Sequence, residues 1–506
     1  MRGSSVETTT TAVPAHAQVE DKGLKKNAIS YLSNIVIGVA STAPAYSLAA
    51  TLGAVAALVA FQGPAIMIVA FIPMLLIAAS YYYMNRADPD CGTTFSWATR
   101  AMGPRLGWLG GWGIIVTDII VMPNLAAIAG QYSFSLFGNN NPTTFEVTLV
   151  GVIWIIVMTW ICWRGIELSA RLQQIMLGAE FVILIVYSVV AIVKSYAGTA
   201  LPGSSHISAS WFNPFAIHGF SNFTEGILLA VFIYWGWDSG VSVNEETEDS
   251  SSAPGKAALA STVVLVLIFV LVATAATAFA GSTFLVNNQA DVLAASGTHV
   301  LGSGLDKLLI LAVLTSASSS TQTTILPTAR TVLSMARSHA IPARFGEIHP
   351  RNLSPSVATL AMGGVSTVWY VVMTLISTNV LSDSILALGL GISFYYGLTG
   401  YACVVYYRHE LFKSVKNLVF VGLAPLLGAL ILTALFIKSC FDLGKTDSGS
   451  TVIFGIGGPL VIGLGAILLG IPLMLICRYK FPEFFKRKRE VADPALLEAM
   501  SAGHES

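Results

Sequence analysis

Gly38-Val39-Ala40-Ser41-Thr42-Ala43-Pro44 interrupts the first long apolar run of the chain, and Tyr234-Trp235-Gly236-Trp237-Asp238-Ser239-Gly240 interrupts the sixth. Pro44 removes a ladder donor and its ring clashes with the preceding turn. Gly236 and Gly240 each cost a helix about 1 kcal/mol relative to alanine. In a bilayer a backbone group without a partner costs several kcal/mol, so non-helical chain persists only inside protein or beside a cavity. A single kink is common in membrane helices. Two breaks at matching positions of two halves point to a binding site of the kind found in secondary transporters.

The rest of the chain fits a membrane setting. Of 506 residues 54% are hydrophobic and 11% charged, and the mean hydropathy of +0.72 is far above that of a soluble domain. Windows of about 20 residues give apolar stretches at 29–59, 63–84, 106–137, 145–163, 170–196, 225–244, 257–281, 305–329, 355–378, 382–407, 417–438 and 452–478, which predicts twelve helices in an all-α polytopic protein. Lys22, Lys25, Lys26, Arg86, Arg100, Arg105, Arg164, Arg171, Lys256, Arg337, Arg344, Arg351, Arg408, Lys413, Lys416 and the run Lys486 to Arg489 then share one side, against Lys194, Lys307, Lys438 and Lys445 on the other. The positive-inside rule therefore places both termini in the cytoplasm of a multi-pass protein, expected in the plasma membrane.

Residues 1–28 lack an apolar core, so they predict a disordered tail and no cleavable signal peptide. The five cysteines have no metal-ligand spacing and the eight histidines lie mostly in loops, which predicts free thiols, no metal and no cofactor. No Ser/His/Asp arrangement is present, so an enzyme is not expected. Net charge is zero, and nothing suggests nucleic acid. The partners expected are a small substrate, a proton and the lipid bilayer, which the basic tail touches where it is anionic; oligomeric state is unreadable.

With the amino terminus inside, the first broken span runs outward and the sixth inward. Five spans is an odd number, so the halves are inverted relative to each other. The expected organisation is a tail (1–28), a first repeat (29–196), an outer loop (197–224), a second repeat (225–407), two further spans (408–478) and a second tail (479–506). Half-helix N-termini offer N–H groups to anions, and C-termini offer carbonyls to cations.

Tyr83-Met84-Asn85-Arg86-Ala87-Asp88-Pro89-Asp90-Cys91-Gly92-Thr93-Thr94-Phe95-Ser96-Trp97-Ala98-Thr99-Arg100-Ala101-Met102-Gly103-Pro104, followed by Gly107 and Gly110-Gly111-Trp112, resembles the signature between spans 2 and 3 of the amino acid/polyamine/organocation permeases. Arg164 to Arg171, Arg330 with Met335-Ala336-Arg337 and Ile341-Pro342, and Gly236-Trp237-Asp238-Ser239 with Glu245-Glu246 agree in order, so the resemblance covers roughly residues 30 to 410. It implies the five-plus-five inverted-repeat fold with broken helices 1 and 6, alternating access, and amino acids or related amines as substrates. In such relatives the substrate carboxylate meets amides at the span 1 break and the amine meets carbonyls of spans 1 and 6; carried over, this nominates Ala40, Ser41, Thr42 and Ala43 with Tyr234, Trp235, Gly236 and Trp237, and Phe232 as an aromatic gate. This chain departs from the family where a glycine-rich break usually cradles the carboxylate: it has Ser-Thr-Ala-Pro, and Pro44 has no N–H. The Ser41 and Thr42 hydroxyls are the expected substitutes, and the departure keeps polyamines in play.

Near mid-membrane the spans carry the acidic residues Asp118, Glu180 and Asp238. A charge at that depth costs about 2.5 to 3.5 kcal/mol on insertion scales and marks a functional position by default. By the resemblance, Glu180 falls where proton-coupled relatives often carry a lysine in place of a sodium ion, which nominates it as the proton-coupling group. Sodium ligation and a structural role, with Glu180 held by the span 8 hydroxyls (Ser316, Ser318, Ser319, Ser320, Thr321), stand beside that reading. Asp118 and Asp238 are candidates for attracting a cationic substrate, Asp238 also for capping the broken helix. Glu245, Glu246, Glu248 and Asp249 read as a solvated cluster, and Tyr395 and Tyr396 as a gate or as packing. Proton-coupled amino acid symport is the leading reading, an amine carrier or exchanger the next, and a non-transporting nutrient sensor the alternative of another class.

Overall fold

The computed structural model describes residues 21–289 and 291–492. The chain is helical nearly throughout. The first broken span is α1 (Tyr31–Ser41) followed by α2 (Pro44–Val59); α3 (Gly63–Ala87), a connecting α4 (Thr94–Met102), α5 (Pro104–Leu136), α6 (Thr144–Arg164) and α7 (Ile166–Tyr196) complete the first half. The second half begins with another broken span, α8 (Phe220–Ile233) and α9 (Ser239–Ser242). It continues through α10 (Ala253–Asn287), the short α11 (Val292–Leu301), α12 (Lys307–Arg337), α13 (Ser356–Ile376) and α14 (Thr378–Tyr406). A turn of helix α15 (Val415–Asn417), α16 (Ala424–Leu443), α17 (Gly458–Lys480) and a final turn α18 (Pro482–Phe485) follow.

Among the described residues ten segments are long and apolar enough to cross a membrane. The first of them, Tyr31–Ala87, holds the first two expected spans, and α8 is too short to count alone because the sixth span is broken. The twelve expected stretches are thereby all present as helix.

Packing follows the two halves. The broken spans lie on each other (α2 on α8, α1 on α9), α3 packs on α10, α5 on α12, and α6 on α13. The fifth span of the first half, α7, packs on α1, α10 and α12, while its counterpart α14 packs on α8, α3 and α5. Exchanging the halves leaves this pattern unchanged, as an inverted repeat requires. α16 and α17 pack on α14 from outside, with α16 also on α3 and α17 on α5.

Each break has a local cause. Pro44 opens α2, and the preceding Ala43 takes a left-handed φ of 47°, a strained conformation for a residue with a side chain. Gly236 has φ 117°, and a Cβ there would sit 2.8 Å from Ser41 Oγ and 2.9 Å from the Ser41 carbonyl. The second break is therefore glycine both for its backbone angle and because the first break lies against it.

The ends of the chain depart from expectation. Of the disordered tail expected over 1–28, residues 1–20 lie outside the described residues, and from Asp21 the chain is docked on the bundle. Ala28 and Ile29 N–H groups donate to the Glu246 carbonyl at 2.8 and 3.2 Å, and Glu248 N–H donates to the Ile29 carbonyl at 3.0 Å. Composition carries no trace of this docking, because its partners lie more than 200 residues away. The expected second tail (479–506) begins as the end of α17 and the α18 turn; Phe484 stacks on Phe95 at 5.6 Å between ring centres. Residues 493–506 lie outside the described residues. The five cysteines are free thiols.

Candidate functional site

The two breaks meet at Ser41 and Ser239, whose hydroxyls are 2.9 Å apart. Beside them lies a small chamber with free room for about one water molecule. Its wall takes Ser41 from the first break, Trp235, Gly236, Asp238 and Ser239 from the second, Ile114 and Asp118 from α5, Thr324 and Pro327 from α12, and Tyr395 from α14.

Both carboxylates in this wall are held by hydroxyls. Asp238 accepts from Tyr396 OH at 2.7 Å and Tyr395 OH at 3.2 Å, and Trp235 Nε1–H donates to Tyr395 OH at 2.5 Å. Asp118 Oδ2 accepts from Thr328 Oγ1 at 2.5 Å, while its second oxygen has no partner among the described residues. Both are nearly inaccessible, at 5% and 4% exposure. α12 contributes through Pro327, which cannot donate to the carbonyl one turn back and so loosens the helix beside the chamber.

Ser41, Trp235, Gly236, Asp238 and Asp118 are thus brought together. The other nominated residues lie behind the wall. Tyr234 OH donates to the Met67 carbonyl at 3.0 Å. Trp237 is wedged against Tyr81 and Tyr396, ring centres 5.0 and 5.2 Å away. Ala40 and Ala43 are buried in the α1–α2 turn, and Phe232 is half-buried and outside the chamber wall. Thr42 Oγ1 donates to the Val39 carbonyl at 2.8 Å, so neither hydroxyl of the first break is free. Tyr395 reaches the wall by a signal visible in the sequence, a tyrosine pair on an otherwise apolar span. Thr324 and Pro327 had none, since small polar residues and one proline are spread along all of α12.

Glu180 lies next to this site and not in its wall. Fully buried on α7, its Oε1 accepts from the Ala45 N–H at 2.7 Å and from Ser316 Oγ at 2.9 Å. Its Oε2 has no hydrogen-bond partner among the described residues. The neighbouring span 8 hydroxyls go elsewhere: Ser320 Oγ donates to the Ser41 carbonyl at 2.8 Å, Ser319 donates to Gln173, and Ser318 Oγ has no partner among the described residues.

A second charged region closes the end of the bundle that carries most of the basic loops. Lys22, 3% exposed, reaches Asp90 at 2.8 Å and Glu245 at 2.5 Å. Arg330 and Glu246 form a buried pair at 2.5 Å, and Arg100 Nε lies 2.9 Å from Asp88. Glu248 and Asp249 are exposed as expected. Glu245 and Glu246 are not: Glu245 is partly buried against Lys22 and Glu246 fully buried against Arg330, cations from distant parts of the chain, which corrects the solvated-cluster reading. Asp90, Cys91 and Glu245 lie close enough to ligate a metal together, but the Lys22 ammonium already supplies the positive charge between the two carboxylates. Burial pushes Asp90 up, but the adjacent Lys22 ammonium and the Ser96 and Ser334 hydroxyls hold it below the usual carboxylate range. Burial pushes Asp88 up to about 7 against the pull of Arg100.

Comparison with known proteins adds the following. The family model described as amino acid permease matches residues 28–465. A branched-chain amino acid permease of Lactococcus lactis subsp. cremoris is 24% identical over 208 residues, 37% of this chain and 43% of the relative. The vacuolar cationic amino acid transporter 4 of Arabidopsis thaliana is 25% identical over 332 residues, 60% of this chain and 51% of the relative. An arginine/ornithine antiporter of the same Lactococcus is 27% identical over 128 residues, 24% of this chain and 25% of the relative. The chain thus spans about half or less of the length of these three relatives.

Proposed function

Because the chain belongs to the amino acid permease family, we propose that it is a secondary active carrier of amino acids or related amines, working by alternating access and coupled to protons. The observation that carries this reading is the chamber between two facing helix breaks, lined from both halves of the fold. Such a site opens to one side or the other when the halves rock about it. The Lys22, Arg330 and Arg100 pairs hold one end shut. The distribution of basic residues supports a cytoplasmic position for that end and for both termini, in a protein of the plasma membrane.

Glu180 is the proposed coupling group. As a carboxylate it satisfies the α2 N-terminus through Ala45 N–H, where the helix dipole favours negative charge. Protonation weakens that tie and frees the hinge between α1 and α2, so that proton loading and movement of the first break are one event. Support comes from its complete burial and from an oxygen left without a partner.

The test is uptake of a labelled amino acid and amine panel into sodium-free proteoliposomes, with and without an inward proton gradient, for wild type and Glu180→Gln. Gradient-driven accumulation lost in the variant, with exchange retained, is the expected result. Accumulation untouched by the substitution makes Glu180 structural, and flux only from preloaded vesicles makes the protein an exchanger.

A further inference from the structure

An amino acid offers its carrier a carboxylate and an ammonium, and the backbone here has provision for only one of them. The natural anion cradle is the N-terminus of α2, a helix of 16 residues opening on the first break. Its first position is Pro44, which has no N–H. Ala45 N–H is taken by Glu180 Oε1 at 2.7 Å, Tyr46 N–H by Ser316 Oγ at 3.3 Å, and Ser47 N–H by the Ala43 carbonyl at 2.8 Å. The N–H groups of Thr42 and Ala43 in the break donate to Val39 and Ala40 carbonyls at 3.1 and 3.2 Å. A carboxylate of the protein's own, Glu180, thus occupies the place where an anionic ligand would dock.

At the second break Gly236 N–H donates to Tyr396 OH at 3.4 Å, and the Ser239, Gly240 and Val241 N–H groups donate within the turn at 2.9, 3.4 and 2.8 Å. The Trp237 Nε1–H, behind the wall, is a donor without a partner among the described residues, but the unpaired charge in the wall itself is an acceptor. Asp118 keeps one oxygen unpaired in the chamber wall, and the Tyr234 and Trp235 carbonyls at the C-terminal end of α8 accept no backbone hydrogen bond among the described residues. A helix C-terminus adds its own negative partial charge. Two carboxylates line the chamber with no Lys, Arg or His among the described residues of its wall. Its free room, about one water, is also that of an ammonium group.

We infer that the chamber recognises its cargo through a protonated amine held by Asp118 and Asp238 and offers no site for a carboxylate, so that the preferred substrates are amines or diamines, the decarboxylated counterparts of amino acids. This rests on the carrier reading above and narrows its substrate class.

Matched pairs that differ only in the carboxylate test it: ornithine with putrescine, lysine with cadaverine, leucine with isoamylamine. Each is presented to the full chain in proteoliposomes for uptake, and to the detergent-purified protein for its melting temperature. The expected result is an amine taken up at least about tenfold faster than its amino acid, the ratio that one charge-assisted hydrogen bond supports, together with a melting shift from the amine that is lost in Asp118→Asn and kept in Asp118→Glu. An amino acid that is taken up or stabilises while its amine does neither overturns the inference. If nothing is taken up, the carrier reading falls by itself: amine stabilisation sensitive to Asp118→Asn still upholds recognition, and no stabilisation by any amine ends it. Size-exclusion profiles matching wild type establish that the variants are folded.

Discussion

Two acid-rich regions of this molecule are built on opposite rules. At the closed basic end, Asp88, Asp90, Glu245 and Glu246 each face a lysine or arginine drawn from another element. In the chamber, Asp118 and Asp238 face only threonine and tyrosine hydroxyls. Asp88 and Glu246 are as buried as Asp118 and Asp238 and lose similar hydration, while Asp90 and Glu245 are partly buried. Where the protein supplies the countercharge, the carboxylates are paired internally; where it leaves the countercharge out, the amine reading proposed above has them take one from a ligand. Removing groups one at a time separates these roles, and the expected effects run from several kcal/mol at this internally paired clasp to less than one in the chamber.

The largest is at Arg330 and Glu246, 2% and 1% exposed. Arg330→Met strands a fully buried carboxylate and costs about 3–5 kcal/mol, the loss measured when one partner of a buried ion pair is removed. Much lower yield and melting temperature are expected, with partial recovery in Arg330→Met/Glu246→Met. A double variant no better than the single would show that the arginine matters for its packing and not for the pair.

Lys22 comes next because its partners are better supported. Asp90 retains the Ser96 and Ser334 hydroxyls, both at 2.7 Å, and Glu245 retains the Cys91 N–H at 2.9 Å. Lys22→Met therefore costs about 1–3 kcal/mol, the desolvation penalty of groups left short of a partner. Cys91, fully buried in the same cluster, is a built-in reporter. With Cys440 and Cys477 replaced by serine, its alkylation by a maleimide is expected to quicken about tenfold or more; an unchanged rate would mean that the docked segment does not hold this end closed.

The clasp also titrates. Asp88 lies beside Arg100 and within the fields of Asp90, Lys22 and Glu490, and burial holds it up at about 7, against about 4 in the unfolded chain. The folded state thus binds the extra proton between those values. Its contribution is fully present below the unfolded value and is lost as pH rises through about 7. Burial shifts Glu245 and Glu246 in the same direction, and the downward-shifted Asp90 is already ionised. Stability should fall by about 2 kcal/mol from pH 5.5 to 7.0 on account of Asp88 and level off above, at 1.36 kcal/mol per pH unit while the proton difference lasts. Asp88→Asn should flatten the slope, and a slope of the same size in that variant would assign it to another group.

How much of this could be read from the residues differs between the two regions. The breaks announced themselves locally, through Pro44, Gly236 and Gly240, and the chamber acids through being charged within apolar runs. Sequence distance hid the clasp: Glu245 and Glu246 look like a solvated run until Lys22 and Arg330 are folded onto them. The same distance hid the use of Glu180. Its position in an apolar helix marked it as unusual, but that its oxygen sits on the α2 N-terminus depends on how α7 crosses α2, which no local pattern encodes. Ser41 and Thr42 were legible as hydroxyls at a break, while their pairing with Ser239 and with the Val39 carbonyl was not.

Asp118 gives the smallest effect and the sharpest contrast. In Asp118→Asn the amide oxygen still accepts from Thr328, and the group facing the chamber no longer carries a charge without a counterion. A buried ionised group without a partner costs more than a neutral amide of the same shape, so the variant is expected to match wild-type stability or exceed it by up to about 1 kcal/mol, as substitutions at functional sites often do. The same change should abolish amine recognition. A clasp acid behaves the other way, since neutralising Glu246 leaves Arg330 stranded and lowers stability. If Asp118→Asn instead unfolds the protein as Arg330→Met does, Asp118 belongs with the clasp, and the chamber has only one carboxylate to offer a cation.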